Sequence, residues 1–157
     1  MTDQAENMAL WNQVSETDPN FTKEVNQRGG FTCINATYQI KQATKLWGAY
    51  GNPRWWLDYT KDDMKIGKFL VILFGTFRYP GGEFPITNAV KLSTSKGPDE
   101  DAFKKLETDT ITKALSKLGF SADIFTGCWD QQKYTDHNNH QQHQPQHQQQ
   151  PQQGYHQ

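Results

Sequence analysis

Between residues 37 and 47 apolar side chains recur at helical intervals. Ile40, Ala43 and Trp47 stand at i, i+3 and i+7, and Gly48 follows where a left-handed C-terminal cap is needed. The spacing predicts a helix, with Lys41 and Lys45 one turn apart along its edge. After Gly51 the period changes. Aromatic and β-branched residues predict strands over residues 54–60, 68–79 and 83–92. Pro80-Gly81-Gly82 supplies a tight reversal between the last two, because glycine reaches positive φ without a steric penalty. An antiparallel sheet is expected, with Gly67 marking a turn and Gly75 a bulge or bend in a long curved strand.

The helical period returns after Pro98. Asp99, Glu100 and Asp101 place negative charge where a helix N-terminus favours it, and Phe103, Leu106, Ile111, Ala114, Leu115 and Leu118 form a broad apolar face that ends at Gly119. This second helix is predicted to cover one side of the sheet. Lys113 and Lys117 lie one turn apart at the edge of that face, with Asp109 one turn before Lys113. Residues 120–129 form an apolar irregular segment and residues 130–134 its exit. Upstream, residues 1–28 form a polar lead-in with one short helix around residues 7–14, a segment suited either to cap the domain or to reach a neighbour. The division is therefore a lead-in at 1–28, a domain at 29–134 and a tail at 135–157. The tail holds Gln, His and Pro and no charged Asp, Glu, Lys or Arg after Asp136, a composition that cannot offset the entropy of ordering, so disorder is expected. The fold class expected is α+β: a helix, a three-stranded curved antiparallel sheet and a long helix packed on it.

Charge changes this picture little in total and more in its distribution. Sixteen basic residues face seventeen acidic ones in 157, and every Lys and Arg stands at or before Lys133, so any basic face is local. The longest apolar run, residues 69–74, is far short of the roughly 20 residues of a spanning helix, and the N-terminus lacks a leader pattern. A cytoplasmic chain with no membrane partner is expected. Cys33 and Cys128 are far apart and are expected as buried thiols.

The chemistry is mostly one of exclusions. All five histidines fall in the tail, so the folded part holds no histidine-based nucleophile, general base or zinc site, and no metal is expected. Neither a phosphate loop nor a dinucleotide turn is present, and no cofactor is expected. Asp58, Asp62 and Asp63 offer a magnesium set on paper, but as neighbours at a strand end and turn they read as solvated residues. A binding vocabulary remains. Trp47, Tyr50, Arg54, Trp55, Trp56 and Tyr59 interleave rings with positive charge, a combination that either stacks bases and neutralises phosphates or fills the core of a sheet.

Residues 108–120, Thr-Asp-Thr-Ile-Thr-Lys-Ala-Leu-Ser-Lys-Leu-Gly-Phe, followed by Ser-Ala-Asp-Ile-Phe, resemble the helix of phage single-strand annealing proteins of the Rad-fifty-two superfamily. Gly29-Gly30-Phe31, residues 34–40, Leu46-Trp47-Gly48, Asp18-Pro19 and Thr22-Lys23 are also similar to that family, so the resemblance spans residues 10–134. It implies a helix, a three-stranded curved sheet and a long helix in that order, assembled into rings or filaments. It further implies a positively charged groove that holds single-stranded DNA by its backbone and leaves the bases free to pair. By resemblance Lys113 matches a DNA-contacting position and Lys104 a basic position near the helix start, whereas Thr112 and Ser116 stand where eukaryotic relatives carry basic residues. Lys117, Lys41, Lys45, Arg54 and Arg78 join the candidate DNA-binding set from charge placement, and Trp55 from the aromatic pattern.

The function expected is ATP-independent annealing of complementary strands by a homo-oligomer in phage-type recombination, with no bond made or broken. A host or phage single-strand DNA-binding protein or exonuclease is the expected protein partner, inside a bacterial host cell. The alternatives are a protective single-strand binder, a module that docks recombination proteins, and, third, a magnesium-dependent nuclease.

Overall fold

The computed structural model describes residues 4–25 and 31–127. In chain order, α1 (Gln4–Val14) is followed by a short ribbon of β1 (Thr22–Val25) and β2 (Phe31–Ile34), then α2 (Ala36–Trp47). The main sheet comes next: β3 (Trp56–Asp58), β4 (Met64–Ile66), β5 (Leu70–Tyr79) and β6 (Gly82–Lys91). A second small ribbon, β7 (Ser93–Thr94) with β8 (Gly97–Pro98), leads into α3 (Ala102–Lys117) and the single turn α4 (Ala122–Phe125). The α+β order read from periodicity is present, and α3 packs on β5 and β6.

The sheet is three strands wide. β5 is its centre and pairs with β6 in one unbroken antiparallel register from Leu70↔Lys91 to Tyr79↔Gly82, turned by Pro80-Gly81. Along the other side of β5 lie β3 and then β4, two short pieces of one margin in different registers, Asp58↔Thr76 and Met64↔Leu73. Gly75 stands where that margin breaks. The register with β6 runs straight through it, so β5 has no bulge there. A Cβ at Gly75 would sit 3.1 Å from a Leu57 methyl and 3.3 Å from the Asp58 carbonyl, so the glycine permits close approach of the broken edge strand.

Alternation along β5 decides the core. Val71, Leu73 and Phe77 face the helices and are buried with Leu57, Ile86, Trp55, Leu106, Ala114, Leu115 and Phe120. α2 begins at Asn35, whose side-chain oxygen accepts from the Thr37 N–H at 2.9 Å, and ends at Gly48 as expected, with a positive φ of 90° but ψ −170°, an extended turn rather than the left-handed helical cap expected.

Several expectations are corrected. The segment before α2 holds a two-stranded ribbon, because short strands of mixed burial carry no clear period. Cys33 on that ribbon is half-buried, as is every residue of β2, so the thiol is not enclosed as expected. α3 starts at Ala102, because the Asp99 N–H is bound to the Leu92 carbonyl and Asp99 caps the turn before the helix. Phe103 stays exposed, since the first turn of α3 buries Ala102 and Leu106, the i, i+4 pair beside it. Cys128, the exit at residues 130–134 and the Gln/His tail lie outside the described residues. Among the described residues no helix is long and apolar enough to cross a membrane.

Candidate nucleic-acid interface

The motif that carries the family resemblance begins in α3 and closes onto the N-terminal segment. Gly119 adopts φ 97° and lies under the Trp11 ring, where a Cβ would approach ring atoms to 2.7 Å. Phe120 is fully buried. Ser121, in left-handed conformation, donates its N–H to the Val14 carbonyl at 2.9 Å. The Asp123 carboxylate accepts from both the N–H and the hydroxyl of Thr17, at 2.8 and 2.5 Å. Gln39 of α2 donates to Ser116 Oγ and to the Phe120 carbonyl at 3.1 and 2.9 Å. Residues 116–123 thus weld α1, α2 and α3 together.

Lys113 and Lys117 are brought together. Both are exposed and reach from α3 to β6: the Lys113 ammonium donates to the Thr87 carbonyl at 3.2 Å and to Asn88 Oδ1 at 3.5 Å, and that of Lys117 lies 6.0 Å from the centre of the Phe84 ring. These contacts orient the two stems along the outer margin of β6 and leave the remaining ammonium protons to solvent. Asp109, one turn earlier, has its carboxyl held above the usual carboxylate range, mainly by desolvation. Lys104 is exposed but does not join them, since it precedes Lys113 by nine residues, about two and a half turns, which puts it on the opposite flank of α3.

Lys41 and Lys45 form a separate pair. α2 presents Gln39 to α3 and these two lysines to α1, where they line a 260 Å³ groove with Gln13 and Gln42. Lys41 also lies 5.0 Å from the Phe21 ring. Arg54 folds its guanidinium over Gly48, against the C-terminal end of α2 whose dipole it complements.

Trp55 needs correction. It is fully buried among the core residues, and its indole N–H donates to the Gly48 carbonyl at 2.8 Å, so no face of the ring is open to a base. Trp47 also packs against Trp55, Tyr79 and Phe120, so much of the aromatic run at residues 47–59 builds core. Arg78 is committed locally: it pairs with Asp58 at 2.8 Å and with Glu83, and stacks over Trp56 at 5.8 Å. Asp58 is thereby engaged, and Asp63 accepts from the N–H and hydroxyl of Thr60 at 2.7 and 2.9 Å. Those hydrogen bonds hold the Asp63 carboxyl below the usual carboxylate range.

Sequence reasoning missed the face of the sheet turned away from the helices. Register places Lys65, Leu70, Ile72, Phe74 and Lys91 together there. The Lys65 ammonium lies 5.5 Å from the Phe74 ring, and that of Lys68 lies 5.2 Å from Phe69. The signal was the unbroken apolar run at residues 69–74: a strand apolar at both parities is one built for cover on both faces. No protein-family model matches the chain, and no curated protein matches it.

Proposed function

We propose that this protein binds single-stranded DNA as an oligomer and anneals complementary strands without ATP, the activity implied by the resemblance of residues 108–125 to phage annealing proteins. The observation that carries the reading is the pair of exposed lysines, Lys113 and Lys117, one turn apart on the flank of α3 that borders β6. A strand laid along that flank meets two positive charges that the sheet edge orients without neutralising. Two lysines give one copy little affinity, because each phosphate contact on a single strand adds only about 0.7 to the salt slope of binding. Repetition supplies the rest: copies joined side by side present the same pair again and again, so binding to one raises the effective concentration at the next. Annealing follows physically, since neutralised phosphates no longer hold two strands apart and a backbone-held strand keeps its base edges free.

The test is annealing of two complementary labelled oligonucleotides without nucleotide or metal. The wild-type protein accelerates duplex formation, and Lys113→Glu with Lys117→Glu removes the acceleration. Binding that leaves the annealing rate at its spontaneous value would assign the chain to strand protection instead.

A further inference from the structure

The lysine pair of α3 is continuous with a bare stretch of sheet. The Lys117 ammonium lies over the Phe84 ring and that of Lys113 donates to the Thr87 carbonyl, both along the outer margin of β6, and Lys91 ends the same strand. Positions 84, 87 and 91 thus carry positive charge along roughly 24 Å of β6.

One strand separates this line from the open face of β5. Thr87 stands opposite Phe74 and Ala89 opposite Ile72, on strands ~4.8 Å apart. Both β6 side chains are small and exposed, so they form a low sill between the lysines and the Phe74 ring. Phe74 is 44% exposed, Leu70 on the same face is 41% exposed, and Ile72 between them is half-buried.

Charge around this apolar strip has one sign. Lys65 and Lys91 flank β5 on its two sides, in register with Ile72 and Leu70, and the Lys65 ammonium lies 5.5 Å from the Phe74 ring centre. The acids that register places on this face, Asp58 and Glu83, both pair with Arg78 at its far end. Asp99, which lines a concavity with Leu70 and Lys91, pairs with Lys105 at 2.7 Å. A second copy offering the same face would set lysine against lysine, which disfavours self-pairing. The ligand that fits has flat rings for Phe74 and anionic groups along its length for the lysines, as a single DNA strand does. Base stacking is a stronger contact than an exposed ammonium on a ring, so an incoming base displaces Lys65 from Phe74 toward a phosphate.

We propose that Phe74, flanked by Leu70 and Ile72, is a stacking platform for bases of the strand whose phosphates follow Lys117, Lys113 and Lys91. Stacking takes the flat face of a base and leaves its pairing edge outward, so the platform holds a strand ready for its complement and favours no particular sequence. The inference deepens the proposed function and rests on its reading that the chain binds single strands.

Affinity for a labelled single-stranded oligonucleotide and for an abasic strand of the same length tests it. The wild type binds the oligonucleotide at least ~10-fold more tightly than the abasic strand, Phe74→Ala loses that preference, and Phe74→Tyr keeps it. Phe74→Ala leaves the salt slope unchanged, because no phosphate contact is lost, whereas Lys91→Ala makes it shallower by about 0.7. Circular dichroism and sedimentation of Phe74→Ala match the wild type. An intact base preference in Phe74→Ala, or no preference in the wild type, overturns the proposal. So does a changed oligomeric mass in Phe74→Ala, which would assign the face to a second copy. Annealing that stays at its spontaneous rate, with the base preference and its loss in Phe74→Ala both seen, would uphold the platform and fault the annealing reading alone.

Discussion

β5 carries apolar side chains on both of its faces, and the two faces meet different surroundings. Val71, Leu73 and Phe77 point at α2 and α3 and are buried, whereas Leu70, Ile72 and Phe74, of the same chemistry and the same two-residue spacing, point away from them and stay partly or largely open. Alternation therefore says which residues share a face and nothing about what covers it. The covered face holds one copy together. The open face retains apolar area whose burial is worth about 25 cal/mol per Å², and a bound strand can still gain it.

Substitutions on the two faces should separate these roles. Phe77→Ala removes a fully buried ring and is expected to lower unfolding free energy by about 3–5 kcal/mol in denaturant titrations. Phe74→Ala should change it by about 0.5 kcal/mol or less, while weakening oligonucleotide binding. A loss of several kcal/mol at Phe74 in a monomer would erase the distinction. The weld at the end of α3 comes next. Asp123→Ala removes two charge-assisted hydrogen bonds to Thr17 and should destabilise by about 1.5–3 kcal/mol, with the loosening seen as faster amide exchange around Val14.

Smaller effects concern charge. Losing Lys113 and Lys117 should make the dependence of log affinity on log salt shallower by about 0.7 for each lysine. Lys41→Glu and Lys45→Glu, on the α1 side of α2, should change that slope less within one protomer. Asp109 sharpens the contrast through pH. Its carboxyl is raised by desolvation, so the folded state holds the proton more tightly than the unfolded chain, and ionised Asp109 opposes folding above the ordinary carboxylate range near pH 4. Asp109→Asn should give a small gain in stability above about pH 5 and none below about pH 3, together with modestly tighter oligonucleotide binding at neutral pH.

Where a local rule was strong, the sequence was a good guide. Gly48 ended α2 at the expected place because its positive φ and the Arg54 side chain lying over it both suit a residue without a Cβ, and Pro80-Gly81 turned the hairpin because a two-residue reversal favours such residues. The start of α3 was misplaced by a few residues, since Pro98 and Asp99 resemble a helix start and serve instead in a ribbon and a turn. β4 escaped notice because three residues on a split margin have too little pattern to read. The candidate site was legible only in part. Spacing put Lys113 and Lys117 together, but nothing local could tell that Lys104 falls on the other flank, that Trp55 is core, or that Arg78 is held by two carboxylates. Those facts depend on partners distant in sequence. Phe69, Phe74, Lys65 and Lys68 went unmarked for a different reason: the run at residues 69–74 reads as strand, and which of its two faces meets a cover is decided by helices distant in sequence.

Equilibrium binding of a labelled single-stranded oligonucleotide, with sedimentation of the same samples, decides whether the Lys113 and Lys117 pair holds DNA. Wild-type protein and the Lys113→Glu, Lys117→Glu double variant are compared at several salt concentrations. An unchanged oligomeric mass with at least ~10-fold weaker binding and a shallower salt slope is expected for the double variant. Equal affinity and equal slope in the two proteins would contradict it.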